Sequence, residues 1–138
     1  MDPHQKAGYR ELEHTADWAL EVWAPTLEEL LEQAARGMYA LAGTRLAPSP
    51  RVRRTFALEF QDPETLLVDF LNELLYYGEV EGVAFDTFDL RIQEGRLHAH
   101  LEGAPLAGLV KVIKAATFHD LNVEKTPQGW RATVVFDV

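Results

Sequence analysis

Three places in this chain gather side chains able to hold a charge or a metal. Glu13-His14-Thr15-Ala16-Asp17 is a polar cluster at a strand junction, where a rigid scaffold commonly presents functional groups. By residue type alone it reads first as a turn in which Asp17 bonds local backbone amides, the usual reason for Asp in such segments. The second place is the end of the chain, where Asp137 is followed by Val138 and its α-carboxylate. If that strand docks beside the Asp17 turn, three carboxylates meet, and their repulsion is costly unless a cation neutralises it. All-oxygen ligands suit Ca²⁺, Mg²⁺ or Mn²⁺ rather than zinc. Taken by itself, Asp137-Val138 reads as a frayed, solvated terminus. The third place is Lys111 to His119. On a strand there, Lys114 shares a face with Val110, Val112, Ala116 and Phe118, which fits either an acid partner or an ammonium snorkelling from an edge strand.

Other polar groups carry less. His98 and His100 alternate and point the same way on a strand, but zinc needs three or four ligands, so the pair reads as the polar face of a hairpin. Glu28, Glu29 and Glu32 fit a solvated helix face, while Asp69 and Glu73, four apart, form either surface charge or a second acidic edge. Cysteine is absent and Ser49, flanked by prolines, is the only serine. With no GxSxG, HExxH or phosphate-loop pattern either, a nucleophilic or P-loop enzyme is disfavoured.

The elements that must position these groups follow from periodicity. Tyr9 to His14 and Trp18 to Ala24 alternate in polarity, with Trp18, Leu20 and Val22 on one face. Thr26 and Glu29 form a capping box, followed by Leu27, Leu30, Leu31, Ala34, Ala35, Met38 and Leu41 at helical spacing up to Gly43. A loop with Pro48, Ser49 and Pro50 leads to a strand from Val52 to Gln61. Asp62-Pro63 starts a second helix, and the stripe Leu66, Leu67, Phe70, Leu71, Leu74, Leu75 carries it to Tyr77 before Gly78. Phe85 to Ile92, a Gln93-Glu94-Gly95 turn and Arg96 to Leu101 read as a hairpin. Val110 to Asn122 suits a strand, with a helix as the alternative, and Trp130 to Val138 alternates as a closing strand after the turn at Thr126 to Gly129.

The fold class these imply is α+β: a single two-layer domain over residues 1–138, with a mixed, largely antiparallel sheet and two amphipathic helices packed on it. With 138 residues the chain can bury one sizeable core. No stretch of about 18 apolar residues and no apolar signal core appear, so a soluble, cytoplasmic protein is expected. The excess of 22 acidic over 13 basic residues, net charge -9, repels phosphate backbones. Arg51, Arg53 and Arg54 are the one dense basic run, too small for a nucleic-acid footprint that covers a face. Tight RNA binding by the chain alone is not expected, nor membrane binding, and the oligomeric state stays open.

The sequence resembles the archease family. The match rests on Tyr9-Arg10-Glu11-Leu12-Glu13-His14-Thr15-Ala16-Asp17, the helix of Thr26 to Ala42, Leu66 to Leu75, Ile113-Lys114-Ala115-Ala116-Thr117-Phe118-His119 and the terminal Asp137-Val138. These segments occur in family order over nearly the whole length. The resemblance implies a non-enzymatic accessory protein of an RtcB-type RNA ligase in tRNA splicing and RNA repair, promoting ligase guanylylation and multiple turnover. It implies a divalent metal, Ca²⁺ or Mg²⁺/Mn²⁺, held by Asp17, Asp137 and the Val138 carboxylate. Lys114 would be a functional lysine beside them, with His14 and His119 in supporting positions. Gly103 to Leu109 departs from the family pattern, lacking an acid after the glycine and a basic or histidine residue before the lysine segment, so no contact to metal, nucleotide or ligase is carried over there. Two other classes remain: a chaperone-like modulator of tRNA-modifying enzymes such as methyltransferases, and a small metal-dependent hydrolase using Asp17, Asp137 and His14.

Overall fold

The computed structural model describes residues 6–12 and 18–138. Its strands are β1 (Gly8–Leu12), β2 (Trp18–Ala24), β3 (Arg45–Leu46), β4 (Val52–Glu59), β5 (Val83–Gln93), β6 (Arg96–Gly108), β7 (Ala115–Thr126) and β8 (Gly129–Asp137). The helices are α1 (Leu27–Leu41) and α2 (Pro63–Tyr76), the latter continuing into one π-helical turn, Tyr77–Glu81. The expected α+β class with two packed helices is what the chain adopts, its strands divided between two sheets. One has the order β1-β2-β8-β7, and in the other β6 is flanked by β3 and β4 along one edge and by β5 along the other. All pairings among the described strands are antiparallel.

Local chemistry sets the helix starts. The Thr26 hydroxyl accepts from the Glu29 amide at 3.1 Å, and Asp62 accepts from the Thr65 amide at 2.7 Å with Pro63 in the first turn. Each side chain satisfies an amide that the first helical turn leaves without a partner. The apolar stripes then meet between the sheets. Leu30, Leu31, Ala34 and Met38 of α1, and Leu67, Phe70, Leu71 and Leu74 of α2, share one core with Leu20, Val22, Val134 and Phe136 of the first sheet and Phe85, Leu97, Ala99 and Leu101 of the second.

Two stretches differ from the sequence expectation. The strand expected from Arg96 to Leu101 does not stop there: β6 runs on to Gly108 and pairs with β5 and β3. Gly103 is what lets it do so beside the bulge between Phe85 and Thr87, since a Cβ there would sit 1.8 Å from the Ala84 carbonyl oxygen. Val110 to Lys114 is not strand: β7 begins only at Ala115. The amides of Val110 and Lys111 instead donate to the Ala42 carbonyl at 2.8 and 3.1 Å, closing the C-terminal end of α1 where carbonyls need donors.

Candidate functional site

β2, β7 and β8 lie side by side, and one end of this sheet collects the groups singled out in the sequence. Trp18 at the start of β2 pairs with Phe136 of β8. On the other side of β8, Ala115 at the start of β7 pairs with Asp137, and the Lys114 amide donates to the Asp137 carbonyl at 2.8 Å. Asp137 is exposed, while the Val138 side chain packs partly buried against the core. The chain end is thereby held by a backbone bond on one side and apolar contact on the other. Asp17 and His14 lie outside the described residues, so their places relative to this corner are not described.

Lys114 does not share a strand face with Val110 and Val112. Those valines are 86% and 63% exposed on the preceding loop, and Lys114 itself is exposed at the sheet's end. Among the described residues neither Lys114 nor Lys111 forms an ion pair. Lys111 reaches back over the Trp18 ring, Nζ 5.4 Å from its centroid, an attraction between cation and ring face. His119 is four residues beyond Ala115, on the order of 13 Å along a strand, within the irregular stretch between Thr117 and Asn122. Its Nε2 lies 3.3 Å from Asp120, and its amide donates to the Thr117 hydroxyl. The corner therefore brings together Lys114, Asp137 and Val138, and leaves His119 with a different carboxylate.

One positioning residue was not singled out from the sequence. Asn72 of α2 bonds both polar groups of the Ala116 backbone: its amide donates to the carbonyl at 3.1 Å, and its oxygen accepts from the N–H at 2.8 Å. This fixes the start of β7, and hence the Lys114 amide, against α2. The signal available was a polar residue bordering the apolar stripe of that helix.

Among the described residues no three His, Asp or Glu side chains converge closely enough to hold a metal ion. Within this corner the exposed Asp137 carboxylate is a hard oxygen donor that matches a hard divalent cation in kind. The other polar groups have settled uses. His98 faces Arg91 and Ala57 across β6, and His100 faces Asp89 and Thr55, the polar outer face expected of them. Arg51 binds Asp86 at 2.6 Å and Glu102 at 3.1 Å, while Arg54 binds Glu81 at 2.8 Å. The Arg51 guanidinium holds the Asp86 carboxyl below its ordinary range. The basic run is thus largely neutralised within the fold. No helix among the described residues is long and apolar enough to cross a membrane.

Comparison with known proteins locates this architecture. The sequence pattern of the archease protein family matches residues 9–138. Proteins called archease are similar along most of their length: that of Methanosarcina mazei is 36% identical, covering 99% of both chains, and that of Pyrococcus furiosus is 30% identical over 91% of this chain and 95% of its own. A crystal structure from Thermotoga maritima, described as an archease and possible chaperone, superposes with a TM-score of 0.71 at 26% identity, covering 94% of this chain and 96% of that one.

Proposed function

Because this chain belongs to the archease family, we propose that it acts as a cytoplasmic accessory protein, not itself an enzyme, that activates an RtcB-type RNA ligase in tRNA splicing and RNA repair. Residues 1–138 act as one domain in this role. The protein promotes guanylylation of the ligase and lets it turn over repeatedly. Asp17, Asp137 and the Val138 carboxylate hold a divalent cation, Ca²⁺ or Mg²⁺/Mn²⁺, with Lys114 beside them and His14 and His119 as supporting groups. A cation bound there offsets the repulsion of the carboxylates and offers coordination positions to phosphate oxygens.

The observation that carries this reading is the corner of the first sheet. The Lys114 amide donates to the Asp137 carbonyl, which holds the two residues together through their backbones. Trp18, the described residue next in sequence to Asp17, pairs with Phe136, the neighbour of Asp137. The exposed Lys114 and Asp137 carry charges of opposite sign to a partner's surface, and the protein has no cysteine and only a proline-flanked serine. Work done through a partner suits such a chain better than chemistry of its own. The description of the Thermotoga maritima relative as a possible chaperone belongs to that protein; it agrees with an accessory role here.

RNA joining by a cognate ligase tests the proposal. With ligase limiting and RNA in excess, addition of this protein should raise the product from about one joined RNA per ligase to many. Product that stays at the single-turnover level would contradict it, as would equal stimulation by the Asp17→Ala variant.

A further inference from the structure

A cavity of about 460 Å³ opens between the C-terminal ends of α1 and α2, the start of β5 and the loop leading to Lys114. It lies within the range of small-molecule sites, about 300–1,000 Å³. Its walls are mostly apolar, with Met38, Ala42, Leu74, Val83, Leu106 and Ile113 contributing. Three observations distinguish it from a packing defect. The lining includes Gly78 and Glu79 of the π-helical turn, a feature often found at functional sites. Gly78 leaves room that a side chain would take: a Cβ there would meet only Leu106 and the Val83 carbonyl, at 3.7 and 3.8 Å, ordinary contact distances. Lys111 and Lys114 also contribute to the lining, against the single acid Glu79, and neither lysine has an ion-pair partner among the described residues.

We propose that this cavity is a binding site for a small amphipathic anion, its apolar body between α1 and α2 and its acid group at Lys111 and Lys114. Among the lining residues two lysines stand against the one acid Glu79, in a chain whose net charge is -9. The apolar walls reward burial of its body by roughly 25 cal/mol per Å². The site uses Lys114 but needs no metal.

Decanoate serves as the probe, titrated by calorimetry into the full chain in metal-free buffer, with amide NMR shifts to locate it and decanol as the neutral control. The expected result is saturable one-to-one binding, with shifts clustered at Thr44, Gly78 and Ile113. Gly78→Leu should weaken it at least about tenfold while keeping the wild-type circular dichroism spectrum. Lys111→Gln should weaken decanoate about threefold, as a partly exposed charge pair allows, and leave decanol unchanged. Should Gly78→Leu not fold, Lys111→Gln combined with Lys114→Gln provides the comparison, expected to weaken decanoate about tenfold and to leave decanol unchanged. Absence of saturable binding, shifts scattered over the surface, or equal affinity in the plugged variant would overturn the proposal. Because metal is excluded, none of these outcomes depends on the ligase role.

Discussion

Replacing Asn72 by Ala should loosen the start of β7 by an amount the structure allows to be worked out. Two hydrogen bonds to the Ala116 backbone disappear, each contributing about 1 kcal/mol net. Ala116 is only 4% exposed, so its N–H and C=O are left poorly hydrated, which raises the cost towards about 4 kcal/mol. Ala is the better helix former by roughly half a kcal/mol. The net loss is then about 2–3 kcal/mol, a fall in Tm of about 6–10 °C for a domain of this size. Urea unfolding should show it as a lower midpoint with the same slope, and hydrogen exchange should accelerate at the Ala116 amide. Asn72→Asp keeps the acceptor and loses the donor, so it should fall between wild type and Ala. A loss below about 0.5 kcal/mol for Asn72→Ala, outside the range expected for two such bonds, would refute the claim that this side chain pins β7 to α2.

Further expectations concern the bulge, pH and the chain end. Gly103→Ala places a Cβ 1.8 Å from the Ala84 carbonyl oxygen, so β5 must move away from β6, at about 3 kcal/mol; a urea midpoint equal to wild type would contradict that close approach. Burial pushes the Tyr39 phenol well above its ordinary value of 10.0. The unfolded chain therefore releases this proton first, and the stabilisation present below pH 10 is lost as pH rises beyond it. Tyr39→Phe should flatten that alkaline loss in unfolding measured from pH 9 to 12, and an unchanged slope would rule Tyr39 out as its source. A tag appended after Val138 should weaken Ca²⁺ or Mn²⁺ binding more than one placed before Met1, since it converts the terminal carboxylate to an amide; equal affinities by calorimetry would remove that carboxylate from the ligand set.

What the sequence made readable was whatever local pattern determines. The Thr26 and Asp62 caps, both amphipathic stripes and the alternation of Trp130 to Phe136 all reappear as elements near their expected limits. Tertiary contact decided the rest. Val110 to Lys114 has the composition of a strand, yet the C-terminal end of α1 captures its amides first. β6 runs through Gly103 and Pro105, residues that argue against a strand, because β5 pairs on one edge and the Ala47 amide donates to the Pro105 carbonyl on the other. β3 has only two residues, too few to show a period. At the corner, residue types alone left Asp137 a solvated terminus and Lys114 undecided; the resemblance to the family singled them out, and their backbone bond depends on strand register. The cavity and the Asn72 clasp arise only when α2 meets other elements, and no window of sequence records that meeting.

The most direct test of the ligase role is the rate at which a cognate RtcB-type ligase becomes guanylylated, measured with radiolabelled GTP and Mn²⁺ in the presence of this protein, Asp17→Ala or Asp137→Ala. The account predicts clear acceleration by the wild-type chain and little by either variant, with both variants folded as judged by circular dichroism. Equal acceleration by all three would contradict a role for this acidic corner, and no acceleration by the wild-type chain would contradict the ligase role itself.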